Sequence, residues 1–431
     1  MSVMTPEAEP PVDVMSAAAV SDPQGYFAQL RATRPVYWDP QYRSWLVTSH
    51  RHVAEALRDP RFSCDRIEPY IRKKLAGPDT DPLVRQAFEV LSGWMVFKEE
   101  PDHSRLRRLC MQAFTPQSIA RLRARAESLT AELLDAVPPG EFDLIASVAA
   151  PLPSIIIAEM MGVPVEDRLQ FEQWTAKVSP LVSTGLDDPT RYGSVAEGMD
   201  ALVRYFGTLF KRYTEQPEDN LITALLRARE QDDALSAAEL MATCTLLLFG
   251  GHETTANFIA NGVLALLRHP AQLAAMREDR VDMKLALEEF MRYDGPGKTV
   301  VRVASEDFEF DGQQIRKGQR VFLILSVANR DPLAFEDAEL LKLDRPQGRH
   351  LGFGFGMHFC LGAPLARLEA GIAIPAIVKR WPGLALAPGP LQWLPFLGTR
   401  GMRELRLHTG QAGHRQTPPG AAHDKAEGSI T

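Results

Sequence analysis

Through the middle of the chain apolar residues recur three and four positions apart, in Glu127–Val137, around Ala201–Phe210 and from Asn220 to Glu230. That is the spacing of helices that bury one face. Strand-like runs are fewer and shorter. Val36–Trp38 and Trp45–Thr48 flank a polar turn and predict a hairpin. A second β region is predicted at Val300–Ala304, Phe308–Phe310 and Arg320–Ile324, with turns at Asp311-Gly312 and Lys317-Gly318, and a third at Leu384–Leu386 and Glu404–Leu407. No repeat of solenoid length is present. The pattern predicts a mainly α chain with small β-sheets at its edges, an α+β fold.

One helix stands apart. Ser236 with Glu239 three positions on forms a capping box, and apolar spacing then continues to about His269, where Pro270 ends it. Such a helix is about 50 Å long at roughly 1.5 Å per residue. Leu240–Gly250 is apolar nearly all round, which predicts a path through the interior. A polar cluster, Gly250-Gly-His-Glu-Thr-Thr255, then interrupts it. Two helical glycines cost about 1 kcal/mol each relative to alanine, and a buried Glu253 is expensive unless paired or solvated. A kinked packing helix with an ion-paired Glu253 is one reading. The other is that Gly250 and Gly251 admit a flat ligand while Glu253 and Thr254 handle protons beside it.

Composition narrows the class. A formal net charge of −7 argues against a nucleic-acid partner, which usually demands concentrated positive charge. Four cysteines, Cys64, Cys110, Cys244 and Cys360, lack zinc-site or disulfide-framework spacing and read as reduced cytoplasmic thiols. The first twenty residues are acidic and proline-broken, with neither a signal-peptide pattern nor a membrane span. Residues 1–20 and 409–431 read as loose tails around a single domain over 21–408, expected to be a monomer.

The densest chemistry lies late in the chain, in His350-Leu-Gly-Phe-Gly-Phe-Gly-Met-His-Phe-Cys360-Leu-Gly. Gly352, Gly354 and Gly356 permit a tight loop, and Gly362 lets the chain turn at the start of the following helix. Cys360 just ahead of that helix has the surroundings that favour a thiolate, the form that binds metal. A lone buried cysteine is more often inert packing. The glycine loop argues otherwise.

Phe353-x-x-Gly356-x-x-x-Cys360-x-Gly362 resembles the haem-binding loop of the cytochrome P450 family. Glu289-Phe-Met-Arg292 resembles the family's Glu-x-x-Arg pair, and Gly250-Gly-His-Glu-Thr254 its distal-helix oxygen-activation segment. The resemblance runs from about Asp22 to about His408. It implies the P450 fold, with haem b (iron protoporphyrin IX, axial thiolate) between a long distal helix and the proximal cysteine loop, and Cys360 as the metal ligand. Phe353 and Gly354 would then shape the loop under the haem. His103, Arg107, Arg302 and His358 match positions that hold the propionates. Glu289 and Arg292 form a structural brace whose usual third arginine is replaced by Leu340, with Arg345 as a candidate substitute. Arg105 and Arg108 are candidates for a basic patch that meets an acidic electron-transfer partner.

The implied activity is a monooxygenase that activates dioxygen with two electrons from a ferredoxin or flavodoxin and its reductase, and hydroxylates a small hydrophobic molecule. Cys360 donates electron density that favours O–O cleavage. Glu253 and Thr254 deliver protons. A peroxide-dependent haem oxygenase or a non-catalytic haem protein that binds a ligand has no use for that pair. The substrate pocket is expected from the Cys64–Phe97 region, Val178–Met199, Leu247–Gly251, Lys298–Val301 and Leu394–Thr399. Lys298 is either a substrate-carboxylate contact or a solvent-facing lysine.

Overall fold

Ser236 caps the longest helix of the molecule as the sequence predicts: its hydroxyl accepts the Glu239 N–H at 3.2 Å and the Glu239 carboxylate accepts the Ser236 N–H at 2.8 Å. The structure, a computed structural model, describes residues 12–111, 114–184, 189–228, 235–346 and 348–410. The helices that build the site are α1 (Ile67–Lys74), α2 (Asp102–Met111), α3 (Pro116–Asp135), α4 (Pro151–Met161), α5 (Arg168–Thr184), α6 (Tyr192–Glu215), α7 (Ala237–Arg268), α8 (Met283–Asp294) and α9 (Ala363–Arg380).

The capped helix, α7, is the axis of the packing. Its buried residues include Leu240, Cys244 and Leu248 early on and Phe258, Ile259 and Val263 later, so it has no solvent face over most of its length. Neighbouring helices approach it where glycine leaves room. A methyl group at Gly251 would stand 2.8 Å from Ile157 of α4, and one at Gly262 would stand 2.7 Å from Ile374 of α9. These contacts seat α4 and α9 against α7, and the functional site lies between α7 and the start of α9.

The strands are β1 (Val36–Asp39), β2 (Ser44–Val47), β3 (Phe62–Ser63), β4 (Glu141–Asp143), β5 (Val300–Ala304), β6 (Phe308–Phe310), β7 (Gln313–Ile315), β8 (Arg320–Leu323), β9 (Ala385–Leu386) and β10 (Arg406–His408). The predicted hairpin forms, with Tyr37 opposite Leu46, but it does not stand alone. β8 adds to it in parallel, with Leu46 beside Phe322, and the sheet order becomes β1-β2-β8-β5-β3. Thus the first and most of the second predicted β region share one sheet, and only β6 and β7 separate as a hairpin. The C-terminal pair gains β4, whose three residues carry no readable alternation.

The expected N-terminal tail, residues 1–20, extends too far into the chain. Ala17–Ser21 is helical, and Val14 and Ala19 are buried against Phe27, Leu46 and Phe322. Residues 1–11 and 411–431 of the two expected tails lie outside the described residues.

Candidate functional site

Between α7 and the start of α9 the protein encloses a cavity of about 430 Å³, lined mostly by apolar groups. Its floor is the glycine loop. The Cys360 N–H donates to Phe353 O at 2.8 Å, closing the loop, and Gly354 and Gly356 both take φ of 73°, which strains any other residue. Gly352 serves differently: a methyl group there would lie 2.5 Å from Met291. Phe353 packs edge-on against Phe258 of α7, with the Arg367 guanidinium 4.4 Å from its ring centre.

Cys360 is accessible in this cavity, with dense protein packed around it. Burial pushes the thiol pKa up. The Gly362 N–H, Arg107, the Ala363 N–H and Arg367 pull the other way and do not offset it. The sequence predicted a loop that favours thiolate; in the chain alone desolvation dominates, and a cation at the sulfur is needed to reverse it.

One edge of the cavity gathers four basic side chains against two carboxylates, Glu100, 3.9 Å from His103 Nδ1, and Glu99. His103 of α2 is buried, its Nδ1 has no hydrogen-bond partner, and burial followed by the charge of Arg107 lowers its pKa. His358 Nε2 is likewise unpartnered, and the two imidazole rings lie 4.2 Å apart. Burial, then Arg302 and His103, push the His358 pKa down to about 3. Arg107 lines the cavity and forms no ion pair among the described residues. Arg302 lines a smaller adjoining hollow with His358, is 7% exposed, and donates only to Val301 O at 3.1 Å. The nearby Glu99 carboxylate is occupied by Ser63 Oγ and the Cys64 N–H, both at 2.7 Å. Arg66, which sequence reading missed, is also desolvated; burial and then Arg302 lower its pKa to about 10.

Buried guanidinium and imidazole groups are costly unless an anion compensates them. Two carboxylates at this edge, joined to a flat apolar body with a central cation above Cys360, meet every one of these demands. The donor set fits haem.

The opposite wall is α7. Gly250, Gly251, Thr254 and Thr255 all line the cavity. A methyl group at Gly250 would meet nothing within 4 Å, so this glycine faces open space. Gly251 is chiefly a packing residue, given its approach to Ile157. Thr254 Oγ1 donates to Gly250 O at 3.0 Å, which holds its oxygen at the cavity wall. Glu253 departs from expectation. It does not line the cavity, and its Oε2 accepts from Ser179 Oγ of α5 at 2.8 Å.

Several other expected residues find different surroundings. Lys298 meets neither the cavity nor solvent: it is 2% exposed, and burial and then Arg400 depress its pKa to about 8. Arg105 is engaged by Glu239 of the capping box, which withdraws it from the expected basic patch. Of the expected pocket segments, Met95, Val96, Leu247, Thr299, Val300 and Thr399 reach the cavity, whereas Val195 and Met199 of α6 pack against Phe88 and Trp94. Ile157, Phe114 and Leu325 line it without any signal in the local sequence.

Glu289 and Arg292 on α8 are almost fully buried and joined by two hydrogen bonds of 2.7 and 2.8 Å. Arg345 Nε donates to Glu289 Oε2 at 2.9 Å and its Nη2 to Leu340 O at 3.1 Å. Arg345 therefore supplies the third leg that Leu340 cannot, and the Leu340 carbonyl also accepts from Arg292.

Comparison with known proteins gives a consistent picture. The family model described as Cytochrome P450 matches residues 71–382. The chain is 37% identical over 396 residues to the biotin biosynthesis cytochrome P450 of Bacillus subtilis (strain 168), covering 90% of this chain and 97% of that protein. It is 38% identical over 426 residues to the cytochrome P450 monooxygenase PikC of Streptomyces venezuelae, covering 95% and 98%. Among solved structures, P450BioI in complex with hexadec-9Z-enoic acid ligated acyl carrier protein superposes with a TM-score of 0.82 at 34% identity, over 92% of this chain and all of that one. Among the described residues no helix is long and apolar enough to cross a membrane.

Proposed function

The chain belongs to the cytochrome P450 family, whose members are haem-thiolate monooxygenases, and on that premise we propose that it inserts one oxygen atom of dioxygen into a small hydrophobic molecule, by default as a hydroxyl group. The observation that carries this reading is the shared cavity, with Cys360 on its floor, Gly250 and Thr254 on the facing helix and His103, Arg107 and His358 at its edge. Haem held there by Cys360 would supply dioxygen activation, with the two electrons delivered by a separate carrier.

The roles of the chain's own residues follow from their positions. Cys360 ligates the metal as a thiolate. His103, Arg107, Arg302 and His358 bind the two carboxylates, exchanging a desolvation cost for charge-assisted hydrogen bonds. Phe353 and Gly354 cover the sulfur side, and Gly250 leaves room on the other. Leu246, Leu247, Ile157, Phe114 and Val300 exclude water and select an apolar substrate. Thr254 Oγ1 presents a hydrogen bond at the cavity wall, and Glu253, adjacent in sequence, is the acid that passes protons to it. The pair must serve a proton-consuming reaction, which favours a monooxygenase over a peroxide-driven or purely ligand-binding protein. Electrons come from a separate ferredoxin or flavodoxin with its reductase, in the cytoplasm.

The test is isotopic. The purified holoprotein is given a reduced ferredoxin system, 18O-labelled dioxygen and a panel of hydrophobic compounds. One labelled oxygen atom in a product supports the reading. Oxidation that takes its oxygen from water or needs only hydrogen peroxide contradicts it.

A further inference from the structure

Glu253 is turned toward α5 and not toward the cavity it would serve. Its carboxylate accepts from Ser179 Oγ at 2.8 Å. One residue earlier, His252 Nδ1 lies 2.9 Å from Leu248 O and its Nε2 3.5 Å from Thr175 Oγ1. Thr175 and Ser179 are four residues apart, on one face of α5, and both are buried. That face thus gives Glu253 a hydroxyl donor in Ser179, whereas the Thr175 hydroxyl is taken by the Phe171 and Glu172 carbonyls.

α5 packs closely against α6. A methyl group at Gly198 of α6 would stand 2.6 Å from Trp174 O and 2.9 Å from Lys177 Cβ, and Trp174 packs on Tyr205 at 5.5 Å. At its start α6 meets α1 through the Tyr192 and Tyr70 hydroxyls, with Phe88 packed between the two rings. The α5–α6 layer is therefore closely packed and meets α1, and among the described residues it touches the acid of the relay through the Ser179 hydroxyl.

Resting on the monooxygenase reading above, we propose that Ser179 is a positioning residue that holds the Glu253 carboxylate on the α5 side of α7, so that the acid reaches Thr254 only after leaving this hydroxyl. The placement of the α5–α6 layer then controls when a proton enters the cavity. The balance is explicit. One dioxygen, two protons and two electrons from a one-electron carrier convert a substrate C–H to C–OH and release one water. When the second proton does not reach the oxygen atom that leaves as water, the same two protons and two electrons depart as hydrogen peroxide and the substrate is unchanged. A hydrogen bond to a charged group is strong enough to bias the resting rotamer about tenfold or more.

The experiment compares the holoprotein with Ser179→Ala, Ser179→Thr, Glu253→Gln and the Ser179→Ala/Glu253→Gln double variant. Peroxide formed per electron pair and the solvent deuterium isotope effect are measured. Hydrogen exchange of peptides over Phe171–Ser179 and Gly250–Thr254 is followed in the resting protein. Ser179→Ala is expected to lower the peroxide share about threefold, given the size of that bias, to shrink the isotope effect and to speed exchange in both peptides. Ser179→Thr, which keeps the hydroxyl, returns wild-type values. Glu253→Gln raises the peroxide share, and on that background Ser179→Ala changes nothing. If Glu253→Gln raises peroxide while Ser179→Ala leaves it unchanged or raises it, the positioning role is overturned and the relay stands. If Glu253→Gln has no effect, the relay itself is overturned.

Discussion

Replacing Arg302 by methionine should push two measurable quantities in opposite directions. The guanidinium is 7% exposed, makes one hydrogen bond of 3.1 Å to a carbonyl, and has no carboxylate partner among the described residues. In the haem-free chain the cost of its burial outweighs the attraction of the nearby Cys64 and Glu99. Exchanging such a group for a packed apolar side chain is worth about 1–4 kcal/mol, so the haem-free variant should be more stable than wild type by that order. On the proposed reading, the same arginine would donate to a haem carboxylate in the holoprotein. Losing a hydrogen bond to a charged group costs about 1.5–3 kcal/mol, equivalent to a roughly 10- to 150-fold faster loss of haem. The first quantity is read from denaturant unfolding of the haem-free chain. The second is read from the rate at which an excess of a haem-scavenging apoprotein strips the holoprotein. A variant less stable without haem, and no quicker to lose it, would refute the idea that the cation cluster exists for the cofactor's carboxylates.

The remaining predictions use the same reasoning elsewhere. Glu289→Ala strands Arg292 and should destabilise the chain by about 3–5 kcal/mol, whereas Arg345→Ala leaves the Glu289–Arg292 pair intact and should cost less; unfolding midpoints that rank them the other way would disprove the brace. Gly250→Ala adds a methyl group where nothing lies within 4 Å and should stabilise the helix by up to about 1 kcal/mol, while Gly251→Ala meets Ile157 at 2.8 Å and should destabilise it. Calorimetry distinguishes the two. Glu369 on α9 is fully buried, neither carboxyl oxygen has a partner, and burial raises its pKa well above 4.5. The folded chain then holds a proton that the unfolded chain gives up, so this residue makes stability fall as pH rises from about 4.5 toward the folded pKa. Glu369→Gln should remove that slope and be the more stable chain at neutral pH; parallel pH profiles for the two proteins would contradict this.

How much of this was legible in the sequence depends on whether a feature is local. The helix Ala237–Arg268 was readable because both its cap and its proline stop are written within a few residues of its ends. The Cys360 loop was readable because closely spaced glycines around a cysteine have few uses. Rotations about a helix axis were not. Nothing near Glu253 tells that it faces Ser179, 74 residues earlier, because that orientation is set by how α5 rests on α7. Lys298 fails for a related reason: a lysine between two cavity segments reads as a cavity or surface residue, yet the turn around Gly398 draws it inward. Arg345 was visible as a candidate, but only the fold brings it to Glu289. The joining of the hairpin to β8 depends on parallel pairing across some 275 residues, which no short pattern encodes.

On the proposed reading Cys360 would hold the haem iron as a thiolate. The most direct measurement is the absorption spectrum of the reduced, carbon monoxide-bound holoprotein beside its Cys360→His variant. A strongly red-shifted Soret band in the wild type that vanishes in the variant is the expected result. A wild-type band typical of histidine ligation, or purified protein that takes up no haem, would contradict it.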